Sequence, residues 1–236
     1  MTTTGKFIGI NQRVPFDVLD TAISYYLKSG AINKEDILAH VKEFTKGDNR
    51  AMKATLYIVQ ILTRQSKILN ELKKKVDHEN YLKMKTSDRK ALVLCLVSLT
   101  YPITYDLLVA LAAGFKVQNQ INKAFINQKV AAIYGSNRTM DIALDALLPM
   151  IIELDTVKRV KISLYSKAET AIISNPYIQE LITYTDIKLS GSKSILLEDL
   201  SHRPWYMYFD VKPLKKKQLT LLKYSEGVVG GGYLTI

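Results

Sequence analysis

Residues 91–115 carry one charge, Asp106, and that run limits what the rest of the chain can fold around. A stretch of 25 residues this apolar has the length of a membrane span. Thr100-Tyr101-Pro102 breaks it. A proline inside a helix removes a hydrogen bond and clashes with the preceding turn. Each half is then too short to cross a hydrocarbon core about 30 Å thick. The run predicts two consecutive helices buried in a core, the first capped by Thr86-Ser87-Asp88 and the second ending near Gly114. Membrane insertion is not expected. Asp106 is left either exposed or paired.

Other helices announce themselves by caps and spacing. Pro15 opens a helix over 15–28, with Val18, Leu19, Ala22, Ile23 and Tyr26 on its buried face and Ser29-Gly30 at its end. Asn33 caps a second, with Ile37, Leu38, Val41 and Phe44 as its apolar side. A long helix is predicted over 49–76 from the stripe Ala54, Ile58, Ile61, Leu62, Leu69, Leu72 and Val76. Its polar face carries Gln60, Arg64, Lys67, Glu71 and Lys74, with an ion pair such as Glu71–Lys75. Ser174-Asn175-Pro176 starts a later helix, Ser190-Gly191-Ser192 is a turn, and 195–200 reads as a short helix.

Residues 121–166 hold the best lead to function. A helix over 121–133 meets a turn at Tyr134-Gly135. A second helix opens at Ser136-Asn137-Arg138-Thr139, with Ser136 as its cap and Met140, Ala143, Leu144, Leu147 and Leu148 buried. Pro149 should kink or restart it. A strand over 157–164 follows, bearing Lys158, Arg159 and Lys161. Helix, turn, helix and basic strand is the outline of a winged helix, a DNA-binding layout. Asn137 and Arg138 have the fork geometry for bidentate contacts with adenine and guanine. The alternative is a capped, solvated helix start. Asp141 and Asp145 lie on the same helix and would repel phosphates unless Arg138 screens them.

The formal charge is +11. Residues 1–120 hold 18 basic and 11 acidic side chains and residues 121–236 hold 15 and 11, so the excess is spread over the chain rather than confined to a tail. Such a field favours polyanions. Residues 46–90, with 12 basic and 5 acidic side chains, hold most of it, on a surface that either contacts phosphate or is a solvated helix face. The single cysteine, Cys95, cannot form an internal disulfide. It reads as a buried hydrophobe in a reducing, cytoplasmic setting. Residues 1–6 lack the apolar core of a secretion signal.

Catalytic signatures are missing. His40, His78 and His202 lack metal-ligand spacing, and no nucleophile elbow, phosphate loop or dinucleotide fingerprint occurs. Gly230-Gly231-Gly232 lacks the Lys-Ser/Thr partner of a phosphate loop. The aromatic cluster Pro204-Trp205-Tyr206-Met207-Tyr208-Phe209 suits a clasp over the core better than a base-stacking surface. Lys215-Lys216-Lys217 precedes an alternating run over 219–224, expected as an edge strand guarded by charge.

The order of these features resembles the BrxA family, a small accessory component of the BREX bacterial phage-defence systems. The likeness rests on Asn49-Arg50-Ala51 opening a long helix and on Arg89-Lys90-Ala91-Leu92-Val93-Leu94-Cys95-Leu96 followed by Tyr101. It extends to Asn137-Arg138-Thr139 opening a later helix, the basic strand over 157–164, and the aromatic end near Trp205 and Phe209. The basic, glycine-rich tail after Asp210 departs from it. The resemblance implies an all-helical fold with winged-helix character, double-stranded DNA as ligand and no catalysis of its own. It also implies work alongside larger defence subunits, a methyltransferase and an ATPase among them.

Together these readings predict a mainly α, multi-helix bundle with a winged-helix-like segment and a small β element. It divides into 1–116 and 117–236 or forms one compact unit. The expected DNA-binding residues are Asn137, Arg138, Thr139, Lys158, Arg159 and Lys161, joined by Lys129, Arg50 and Lys53. No enzyme activity, cofactor or metal is expected. The rival readings are a subunit that docks an acidic protein partner and a helical RNA-binding module.

Overall fold

The computed structural model describes residues 6–214, 219–227 and 231–236. In chain order the elements are α1 (Phe16–Ser29), α2 (Lys34–Phe44), α3 (Asp48–Arg64), α4 (Ser66–Lys75), α5 (His78–Lys83), α6 (Thr86–Thr100) and α7 (Ile103–Phe115). Then come β1 (Gln120–Asn122), α8 (Lys123–Tyr134), α9 (Arg138–Glu153), β2 (Val157–Lys161), β3 (Leu164–Lys167), β4 (Ala171–Ile173) and α10 (Pro176–Ser190). The chain finishes with β5 (Ser194–Leu196), two 3-10 turns (Leu197–His202 and Pro204–Tyr208), β6 (Phe209–Val211), β7 (Lys223–Glu226) and β8 (Gly232–Thr235). The protein is mostly helical, with three small sheets among the described residues.

Helices α6 and α7 form the centre. Pro102 separates them, and they meet at 114°. No single described helix is long and apolar enough to cross a membrane. Leu92, Leu94, Cys95, Leu96, Leu107, Leu108 and Leu111 are buried, in a core that extends from Ile8 to Phe209. Burying each such leucine is worth about 2 kcal/mol, so this pair outweighs any surface feature in holding the fold. Burial pushes the Cys95 thiol up to about 12, which leaves it unreactive. Asp106 is paired: the Tyr134 hydroxyl donates to it at 2.7 Å and Lys6 lies 3.3 Å away, tying α7 to α8.

Buried polar groups stitch the other elements to this centre. Tyr81 donates to Asp20 at 2.5 Å and Arg89 pairs with the same carboxylate, joining α1, α5 and α6. Burial still pushes the Asp20 carboxyl up. Asp186 of α10 takes the Tyr105 hydroxyl at 2.6 Å and pairs with Arg203. Thr86-Ser87-Asp88 was expected to cap α6. Lys85 occupies the N-cap position without a side-chain cap, and Asp88 instead accepts the backbone N–H groups of Ser174 and Asn175 at 2.8 and 3.1 Å.

Several predicted boundaries move. The helix expected over 49–76 is two helices broken at Gln65, whose side chain reaches the Thr100 hydroxyl at 3.1 Å. Glu71 pairs with Lys74 at 2.6 Å, while Lys75 lies over the Tyr177 ring. Residues 195–200 form β5 and the start of a 3-10 turn rather than a helix. The run over 219–224 contributes only its end to a strand, β7, which is an edge in the order β5-β8-β7. Lys215, Lys216, Lys217 and Gly230 lie outside the described residues.

The aromatic cluster is a clasp. The indole N–H of Trp205 donates to Ile182 at 3.1 Å and the Tyr208 hydroxyl to Leu108 at 2.7 Å. Trp205, Tyr206, Tyr208 and Phe209 are all buried, so they cannot stack on bases.

Candidate nucleic-acid interface

Gly135 allows the turn between α8 and α9, with φ at 79°, a backbone angle open to glycine at little cost. The helix expected over 121–133 begins instead with the three-residue strand β1. Asn122 then caps α8 by accepting the Phe125 N–H at 2.8 Å. The cap of α9 is Asn137, not Ser136. Asn137 is the residue with extended backbone, and its side-chain oxygen accepts the Met140 N–H at 2.9 Å. Helix α9 continues past Pro149 to Glu153.

The strand expected over 157–164 is a hairpin. β2 and β3 run antiparallel, with a bulge at Val160 and a two-residue connection, Ile162-Ser163. β1 adds to the other side of β3, giving the order β1-β3-β2. Val157 and Tyr165 root the hairpin in the core. Lys158, Arg159, Val160, Lys161 and Ile162 are exposed.

Lys123 fixes the far end of the hairpin. Its N–H donates to the Ser163 carbonyl at 2.9 Å, and its ammonium pairs with Asp145 on α9. The hairpin therefore runs back along α9 and reaches a level seven residues beyond Arg138, about 10 Å along the helix axis. Arg138 pairs with neither Asp141 nor Asp145. Asp145 is neutralised by Lys123 instead, and Asp141 accepts from the Asn127 amide at 3.2 Å. Asn122, Lys123 and Asn127 escaped sequence reasoning. An Asn three residues before an apolar helical position was the available signal.

The expected contact residues divide. Arg138 and Thr139 are exposed in the first turn of α9, next to the positive end of the helix dipole. Asn137 is not available for a bidentate base contact. Its oxygen holds Met140, and its amide donates to the carbonyls of Tyr134 and Gly135 at 3.2 and 3.3 Å. Lys158 is exposed and lies 3.5 Å from Glu169. Arg159 and Lys161 are exposed beyond it on the same hairpin. Lys129 is exposed on α8 with its ammonium over the Phe125 ring. Arg50 and Lys53 lie on α3, which packs chiefly against α2 and α6, so they belong to a different packing group.

The root of the hairpin borders a cleft of about 380 Å³ lined by Thr86, Ser87, Lys90, Asp155, Lys158 and Glu169 among others. Both lysines are paired to acids, Lys90 with Asp155 at 2.6 Å and Lys158 with Glu169. Among the described residues no three His, Cys, Asp or Glu side chains are grouped to hold a metal ion.

Comparison of the chain with family models, curated proteins and solved structures finds no match. The functional reading rests on the site.

Proposed function

We propose that this protein is a non-catalytic accessory factor that binds double-stranded DNA, and that β1, α8, α9 and the β2–β3 hairpin act as a winged helix. The observation that carries the reading is the hairpin. It projects Arg159 and Lys161 into solvent along a helix whose first turn exposes Arg138 and Thr139. The connectivity agrees with it: strand, helix, helix and hairpin, with the first strand against the last. The net charge of +11 supplies the long-range attraction. Asp141 is exposed on α9 with the neutral Asn127 amide as its partner, so base reading is confined to the first turn and affinity is mainly phosphate-driven. A place beside larger BREX defence subunits rests on the BrxA-like residue pattern.

The test is a mobility-shift titration with duplex DNA at two salt concentrations, with single-stranded DNA and RNA as competitors. Duplex should be preferred and binding should fall steeply with salt. Replacing Lys158, Arg159 and Lys161 together by Gln should weaken binding and lower the log–log salt slope by about 2 to 3. No shift at low salt from folded protein overturns the reading.

One observation favours a second reading, the docking of an acidic protein partner. Helix α3 exposes Met52 and Leu56 one turn apart, with Arg50 and Lys53 beside them. A protein working this way would co-purify with its partner and ignore DNA.

A further inference from the structure

Ile162 is the most exposed large apolar side chain among the described residues, at 90%. It occupies the two-residue connection of the β2–β3 hairpin, a position that ordinarily takes Gly, Asn or Asp. The following residue, Ser163, has φ at 59°, so the turn is tight and carries Ile162 at its tip. Val160, 47% exposed, occupies the bulge just before it. Nothing in the fold gains from a bare β-branched residue there. A local rule broken without a packing reward marks a functional position.

The tip is also anchored. Lys123 bonds the Ser163 carbonyl and pairs with Asp145, so the turn is braced against both α8 and α9. Arg159 and Lys161, on the strand that leads into the turn, put exposed positive charge beside the apolar point. The acids nearest the hairpin are compensated: Asp145 by Lys123 at the tip and Glu169 by Lys158 at the root. An apolar point with two cations on the strand leading into it fits a polyanion with an apolar interior better than it fits a protein pocket.

We propose that Ile162 is a wedge that enters the minor groove of duplex DNA and partly unstacks a base step. The proposal rests on the duplex-binding reading and adds a mode of recognition to it. The minor groove is about 6 Å wide, so it admits the turn but not the whole ribbon. Lys161 and Arg159 reach the phosphates beside it. Inserted apolar side chains kink DNA, and TA and CA/TG steps resist this least. The protein therefore selects sites by deformability rather than by a base-edge code.

The experiment uses the full chain with short duplexes carrying 2-aminopurine at a TA, CA/TG or AA step in turn. Binding is followed by anisotropy and unstacking by 2-aminopurine fluorescence. Wild type should raise the fluorescence at a TA or CA/TG step and leave the AA step quiet. I162S, whose side chain touches little in the fold, should keep its melting temperature and its salt slope. It should lose the fluorescence rise and bind about tenfold more weakly. Binding without a rise at any step overturns the wedge and leaves duplex binding standing. An equal rise with I162S also overturns it, because another side chain then does the unstacking. No anisotropy change with any duplex at low salt overturns the duplex-binding reading and the wedge with it.

Discussion

Asn137 is held by its own helix. Both polar atoms of its side chain are used within three residues: Met140 donates to its oxygen, and its amide donates to the carbonyls of Tyr134 and Gly135. Its neighbour Arg138 carries the free charge. Two adjacent residues therefore have opposite expected phenotypes. Asn137→Ala should cost about 1 kcal/mol of stability, the usual worth of an N-cap, and should reduce DNA binding only through that loss. Arg138→Ala should leave the melting temperature unchanged and weaken duplex binding. Paired thermal melts and binding titrations check this. A stable N137A protein that no longer binds DNA would return Asn137 to the role of base reader. Ser136 and Asn137 are both good capping residues, so sequence could not choose between them. The extended backbone of Asn137 (φ −152°, ψ 159°) makes the choice.

Elements announced by backbone chemistry were legible in advance. Pro102 split the apolar run, Asn33 and Asn175 cap α2 and α10 as expected, and Gly30 and Gly191 end α1 and α10 in the left-handed conformation. Elements that depend on tertiary partners were not. Nothing local breaks α3 from α4 at Gln65, β1 is three residues long, and Ile162-Ser163 has no turn signature. The candidate site was half legible: the sequence put Lys158, Arg159 and Lys161 on one strand, while the hairpin that carries them is made by β2 pairing with β3, with β1 on the other side of β3. The C-terminal sheet depends on an equally invisible contact. Glu180 on α10 is buried and accepts the N–H groups of Thr220, Leu221 and Leu222 at 2.6, 2.6 and 3.0 Å. Glu180→Ala strands those donors, each worth about 1 kcal/mol or more. The variant should melt earlier, and limited proteolysis should cut it faster after Val211 than within α6 and α7. An unchanged cleavage pattern would mean that the sheet holds itself in place without the carboxylate.

At the scale of the whole molecule, one core ties most elements together, and its phenols should report when it opens. Tyr57, Tyr81, Tyr101, Tyr105, Tyr134, Tyr177, Tyr206 and Tyr208 are all held above the ordinary phenol value, in every case first by burial. Tyr81, Tyr105 and Tyr134 are raised further by the carboxylates to which they donate, Asp20, Asp186 and Asp106. In the unfolded chain every one would ionise near pH 10, the value of a free phenol being about that. A group protonated in the fold and ionised when released makes unfolding more favourable as pH rises. Stability should therefore be insensitive to these phenols below about pH 10 and fall steeply above it. Eight of the fourteen tyrosines act in the same direction, so the loss is cooperative. In an alkaline titration followed by phenolate absorbance and far-ultraviolet circular dichroism, these eight phenols should ionise together, at the pH where helicity collapses. A single smooth phenolate curve with helicity preserved throughout would mean that water reaches these side chains, and that the core is looser than its packing implies.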